Sequence, residues 1–144
     1  MQTTYNEAMA VGVAGEPVDC TNRRIDSKYA EETISAGQAV QVGTSGDQCV
    51  VSTDAVYGVA VQHPTLTIDG DTGLAQYSEG DGVSILRAGR IWVEVDEAVS
   101  IDAAAYWDPA SGAFNASATD NVAVTGGRFV SSTSGAGLAI LEIV

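Results

Sequence analysis

The chain has 144 residues, enough for one domain with its own core, and its apolar fraction of 45% argues against disorder throughout. Its charge is lopsided, with 19 acidic residues against six basic ones and a formal net charge of −13. So few cations cannot neutralise a phosphate backbone or an anionic bilayer, and we therefore expect neither nucleic-acid nor membrane binding. The acidity indicates either simple solubility or complementarity to a basic partner surface.

Export and disulfide formation are not expected either. No apolar run approaches the roughly 18 residues that a membrane helix needs. Residues 1–14 lack the basic start and the long apolar centre of a signal peptide, so we expect synthesis in a cytoplasm. Cys20 and Cys49 are too few for a disulfide scaffold and are interpreted as free thiols, although a bridge between them stays open.

The first 24 residues show no clear periodicity and are rich in small residues between positions 10 and 17. This stretch is either a frayed terminus or an arm that becomes ordered against a neighbour. We favour the arm because Val11, Val13 and Val18 need burial. The sequence thus predicts an extended N-terminal arm over 1–24 and a β body over 25–144.

Beyond the arm, the pattern predicts strands punctuated by turns. The predicted strands span 39–42, 49–52, 56–62, 82–87, 90–95, 103–107, 113–117, 128–132 and 138–144, and 65–73 is a loop or short strand. We predict a hairpin of 39–42 and 49–52 around the loop 43–47, and a two-residue connection at Ala88-Gly89 between 82–87 and 90–95. Strands 103–107 and 113–117 flank a type I turn at Asp108-Pro109, and strands 128–132 and 138–144 flank the turn 133–137. Turn signals recur about every ten residues, which is typical of an all-β fold, a small antiparallel β-barrel or jelly-roll-like sandwich.

Residues that could perform catalysis are few. His63 is the single histidine, no Gly-x-Ser-x-Gly stands in the chain, and no zinc-ligand spacing occurs. Residues 69–73 resemble the start of a calcium loop but lack its later ligands. We predict no catalytic, cofactor or metal residues, and keep a two-carboxylate hydrolase only as a minor alternative. Trp92 and Trp107 are interpreted as core or edge aromatics, or else as anchors at an interface.

Six sequence blocks follow one another along the chain in a definite order. The central block is Glu79-Gly-Asp-Gly-Val-Ser-Ile-Leu-Arg-Ala-Gly-Arg-Ile-Trp-Val-Glu-Val95, which resembles the "gd-x-vsvl-x-x-G-x-iwv" pattern of the structural cement proteins of tailed phages. Five further blocks follow the family's order, at 33–40, 56–61, 105–114, 125–132 and 137–141. Each block alone is weak, but their order and spacing over residues 25–144 make the resemblance specific.

The resemblance implies a β-barrel or jelly-roll body on the outer capsid surface of the virion, without catalytic residues or cofactors. There it would bridge major capsid protein subunits, stabilise the expanded head, and associate with itself as a homodimer or homotrimer. The arm residues expected to bind the capsid are Tyr5, Val11, Val13 and Val18. The residues expected to make oligomer or capsid contacts are Arg90, Trp92 and Trp107.

One alternative of a different class stays open at this stage. A carbohydrate- or host-surface-binding β-sandwich of a phage tail or fibre would stack exposed aromatic rings on sugars. Its candidate residues are Tyr57, Tyr77, Trp92 and Tyr106. Aromatic residues make up only 6% of the chain, which disfavours this alternative.

Overall fold

A computed structural model of the chain describes residues 12–18, 23–63, 66–71 and 73–144, and this part contains strands and no helix. No segment of the described chain is therefore a helix able to cross a membrane. The strands are β1 (Arg24–Ala30), β2 (Ile34–Ser35), β3 (Ala39–Val42), β4 (Gln48–Val51), β5 (Gly58–Ala60), β6 (Thr67–Ile68), β7 (Ala75–Tyr77), β8 (Gly82–Val95), β9 (Ala104–Asp108), β10 (Ala113–Asn115), β11 (Val122–Phe129) and β12 (Gly137–Ile143). The predicted all-β class is confirmed.

Strand pairing closes two five-stranded rings that share β8. In the first ring β8 pairs with β1 and β5, and β3 and β4 complete the circuit. In the second ring β8 pairs with β12 and touches β10 at Phe114, and β9 and β11 complete the circuit. Closing a sheet on itself removes exposed strand edges, which satisfies the backbone hydrogen bonds of short strands. A small separate sheet has the order β2-β7-β6.

The hairpin predicted at Ala88-Gly89 is wrong, because β8 runs through both residues as one strand. Ala88 pairs with Arg24 of β1 and Gly89 pairs with Ile143 of β12, so each half of β8 has its own antiparallel partner. Two short apolar runs around an Ala-Gly pair look the same in sequence whether the chain reverses or continues. Here the chain continues as one strand because β1 and β12, which are distant in sequence, each pair with one half of it.

Arg87 is an extra residue in the pairing of β8 with β1, since Ile25 faces Leu86 while Arg24 faces Ala88. Such a bulge reverses the alternation of side chains along a strand. Leu86 therefore shares a core with Ile91, although five positions separate them, while Ile85 belongs to another core.

Two apolar cores result from this arrangement. The larger one lies in the second ring and contains Trp107, Phe114 and Phe129, with the rings of Trp107 and Phe114 in edge contact at 4.9 Å. The smaller one fills the first ring and includes Val40 and Cys49. Short stretches of β3, β5 and β8 separate the cores, because neighbouring residues there face opposite cores: Ala39 and Val40, Val59 and Ala60, and Leu86 and Ile85.

Three predicted strand pairs are confirmed by antiparallel pairing: β3 with β4, β9 with β10, and β11 with β12. The strand predicted over 56–62 is shorter, at Gly58–Ala60, and β11 begins earlier than predicted, at Val122. Cys49 is a free, buried thiol, and burial raises its pKa. Cys20 lies outside the described residues.

Candidate interaction surface

Residues 12–18, here called the N-terminal segment, lie along β8 of the same chain. Gly15 and Val18 donate backbone hydrogen bonds to the carbonyls of Trp92 and Arg90, at 2.8 and 3.0 Å. Trp92 donates in return to the Glu16 carbonyl at 3.0 Å, and Pro17 forms an antiparallel bridge with Ile91. The segment is thus an added strand at the edge of β8 that β12 leaves open.

Close glycine contacts hold this segment in place. A Cβ on Gly12 would lie 2.3 Å from the Trp92 ring, so the indole packs directly on the Gly12 backbone. Gly15 has a φ of +84°, and a Cβ there would lie 2.7 Å from the backbone nitrogen of Gly37. Gln62 adds a backbone hydrogen bond to the Gly15 carbonyl at 2.7 Å. Only glycine fits at position 15, because both the backbone conformation and the space exclude a side chain.

The predicted capsid-binding arm is only partly within the described chain. Val13 and Val18 leave 53% and 40% of their surface exposed, although Ala14 between them is buried. Tyr5 and Val11 lie outside the described residues. The predicted boundary at residue 24 does not coincide with a loss of contact, since residues 12–18 already pack on the body. The exposed valines therefore project from a fixed base.

Arg90 and Trp92 lie on the face of β8 that points away from the larger core, because Ile91 and Val93 alternate into it. Arg90 forms an ion pair with Glu142 at 2.7 Å between nitrogen and oxygen. The neighbouring row pairs Trp92 with Ile140 of β12, and Trp92 is half-buried beneath the N-terminal segment. The two predicted contact residues are therefore neighbours on one face.

Glu142 connects Arg90 to a second arginine. Arg128 of β11 donates to the Glu142 carboxylate at 2.8 Å and lies 3.7 Å from Asp102. The hydrogen bonds from Arg128 and Arg90 hold the pKa of Glu142 below its usual range. Sequence reasoning missed Arg128 and Glu142, although alternation along β12 places Glu142 on the same face as Ile140.

A second charged cluster surrounds Tyr57, where β1 meets the first half of β8. The Tyr57 hydroxyl donates to Asp26 at 2.8 Å, and the Arg87 guanidinium stacks on the tyrosine ring at 3.7 Å. The Lys28 ammonium nitrogen lies 4.9 Å from the centre of the Tyr57 ring, and a guanidinium nitrogen of Arg24 lies 3.7 Å from the Asp26 carboxylate. The hydrogen bond from Tyr57, followed by the nearby guanidiniums, lowers the pKa of Asp26. Arg87 also borders a surface hollow of about 270 Å³.

Two of the predicted surface aromatics are buried instead. Trp107 is 0% exposed and its indole donates to the Ser52 carbonyl at 2.9 Å, so its interpretation as a core aromatic is confirmed and the alternative, a contact residue, is wrong. Tyr77 is 2% exposed and donates to the Val61 carbonyl at 2.5 Å, so it cannot stack on a sugar. A bulky aromatic with an internal hydrogen-bond partner fills a core well, and sequence alone does not reveal that partner.

One open groove on the described body is acidic. It has a volume of about 550 Å³ and is lined by Asp96, Glu97, Asp108 and Asp120 among other residues. Within the described ranges no three His, Cys, Asp or Glu side chains come together as a metal site would require. The Asp108 carboxylate instead accepts a hydrogen bond from the Ala110 amide, which shapes the turn predicted at Asp108-Pro109.

Comparison with known proteins identifies relatives of this fold. The family model described as "Structural cement protein (E217 gp24/Pam3 gp6)" matches residues 1–144. A solved chain from "The capsid of Myoviridae Phage XM1" superposes with a TM-score of 0.75 at 18% identity, over 99% of this chain and 96% of that one. The head fiber gp8.5 N base of bacteriophage phi29 superposes with a TM-score of 0.52 at 12% identity, over 85% of this chain and 94% of that one. No curated protein matches the sequence.

Proposed function

This chain belongs to the structural cement protein family, and we propose that it binds the outer surface of a phage capsid and bridges neighbouring major capsid protein subunits. Its role is that of a capsid cement or decoration protein. The family indicates a structural, non-enzymatic role. A protein that binds only the expanded shell stabilises it by mass action, and many copies on one particle add to the effect.

The observation that carries the outer-surface proposal is the docked N-terminal segment. Its backbone is fixed to β8 by hydrogen bonds, while Val13 and Val18 expose apolar surface beside Trp92. Exposed valines on a rigid base lose little entropy when a partner covers them. Arg90 and Trp92 belong to the same contact region, and Tyr5 and Val11 would extend it along the preceding residues. Self-association as a dimer or trimer is part of the proposal.

The direct test mixes the purified protein with expanded empty shells of the source phage and counts bound copies by cryo-electron microscopy. We expect symmetric density on the outside of the shell, with Val13 and Val18 against a neighbouring subunit. Shells that remain bare at micromolar protein would overturn the proposal.

A pair of variants tests the contact region itself. Val13→Ser with Val18→Ser removes exposed apolar groups and should weaken shell binding roughly tenfold or more, since each valine loses about 1 kcal/mol of burial. The matched control is Ile68→Ser with Ile101→Ser, which removes two side chains that are 57% and 61% exposed elsewhere on the body. Equal loss in both variants would show that general surface hydrophobicity, and not this region, supports binding.

A further inference from the structure

All six cationic residues of the chain lie in one connected region, here called the basic tract: Arg23, Arg24, Lys28, Arg87, Arg90 and Arg128. Three acidic residues, Asp26, Asp102 and Glu142, are in contact with it. Asp54 also lines the hollow beside Arg87, and the chain has no lysine or arginine outside the tract. A protein of net charge −13 therefore carries one surface of opposite sign.

Side-chain contacts within each cluster, and strand pairing between the clusters, connect the tract around the middle of β8. Lys28 and Arg87 meet at the Tyr57 ring, and Arg87 and Arg24 both approach Asp26, at 3.9 and 3.7 Å. From there the tract continues to the other charged cluster. Arg24 pairs with Ala88 across the strands, and the α-carbon of Arg23 lies 3.5 Å from the position of a Cβ on Gly89.

The far end of the tract lies on the second ring, where ion pairs join Arg90, Glu142 and Arg128, here called the ion-pair row. Arg90, which follows Gly89, pairs with Glu142, and Glu142 pairs with Arg128. The side chains remain partly open to solvent along the tract: Arg24 is 68%, Arg128 50%, Arg90 46% and Arg87 30% exposed. The positive charges are thus both gathered and accessible.

We propose that the basic tract docks onto a carboxylate-rich surface of the capsid protein. This inference rests on the proposed function and adds the chemistry of the partner surface. Charge complementarity supports it, because the remainder of the molecule is acidic and an acidic shell surface would repel every other face. Exposed guanidiniums with a neighbouring tyrosine are also the side chains most often found at energetic centres of interfaces.

A second copy of this chain is a poorer occupant of the tract. Tract against tract would bring together two surfaces that each carry six cationic side chains, and these would repel one another. The acidic groove of another copy is itself a hollow, as is the one beside Arg87, and two concave surfaces do not fill each other. A convex acidic segment of the shell satisfies both the charge and the shape.

Two substitutions with opposite expected signs test the proposal in shell binding at about 50 mM salt. Arg24→Glu should weaken binding about three- to tenfold, with the loss shrinking at about 500 mM salt because exposed charges are screened. Asp102→Asn should strengthen binding about twofold, because it removes an acid beside Arg128. Asp102 has a φ of 68°, a conformation that asparagine also tolerates, so this variant should keep the fold.

The control for net charge is Ala118→Glu with Thr119→Glu, which lowers the net charge by the same two units at exposed positions beside the acidic groove. If this control weakens binding as much as Arg24→Glu, or if Asp102→Asn weakens it, the proposed acidic partner surface is wrong while the cement role stands. If sedimentation shows that Arg24→Glu instead dissociates an oligomer of the free protein, the tract contacts a second copy and its assignment to the shell is overturned. Wild-type protein that fails to bind shells would overturn both proposals.

Discussion

Replacing Gly15 by alanine should release the N-terminal segment from β8. The substitution meets two obstacles: a left-handed backbone at φ +84°, which costs an alanine about 1–2 kcal/mol, and a Cβ 2.7 Å from the Gly37 nitrogen. The chain can avoid both by giving up the docked position. The destabilisation is therefore limited to the free energy that docking contributes.

That limit follows from four backbone hydrogen bonds. Gly15 and Val18 donate to β8, Trp92 donates to the segment, and Gln62 donates to the Gly15 carbonyl. At about 1 kcal/mol net for each bond, docking contributes roughly 4 kcal/mol. Gly15→Ala should thus lower the free energy of unfolding by about 2–4 kcal/mol and Tm by roughly 6–15 °C.

The matched control is Gly80→Ala. Gly80 has nearly the same φ, +88°, but a Cβ there meets nothing within 4 Å. Gly80→Ala should lower the free energy of unfolding only by the backbone strain, about 1–2 kcal/mol. The decisive assay is amide hydrogen exchange, because the amides of Trp92 and Gln62 donate to the segment and should lose protection only in Gly15→Ala. Unchanged protection of these two amides in Gly15→Ala would refute the reasoning.

Three further predictions concern the cores and the ion-pair row. Trp107→Phe removes the indole donor and leaves the buried Ser52 carbonyl unpaired, so the free energy of unfolding measured in urea should fall by about 2 kcal/mol. A fall of less than about 0.5 kcal/mol would contradict this prediction. Gly58→Ala should destabilise by about 1–3 kcal/mol in the same assay, because its Cβ would lie 2.5 Å from a carbonyl oxygen of β8, whereas Gly46→Ala, which meets open space, should be close to neutral. Because the pKa of Glu142 is lowered in the folded state, its contribution to stability is present above the unfolded pKa and is lost as the pH falls through the folded value. Glu142→Gln should therefore flatten the stability profile in that acidic range, and an unchanged profile would exclude the linkage.

The sequence correctly predicted the features that depend on near neighbours. The β3–β4, β9–β10 and β11–β12 pairings join segments separated by short turns with glycine, proline or aspartate, and those residues fix the reversal locally. The six sequence blocks also led to the family, since each block is a strand with its turn.

Tertiary structure decided what depends on distant partners. Nothing in the local pattern at Ala88-Gly89 distinguishes a reversal from a strand that passes between two rings, because β1 and β12 supply the answer from opposite ends of the chain. The same holds for Trp107, whose burial follows from Phe114 and the Ser52 carbonyl, which only packing brings next to it. The sequence by itself determined the sign and scarcity of charge, with six bases among 144 residues. Their collection into one tract arose only from the fold, because β8 places β1 and β12 beside each other along a single strand.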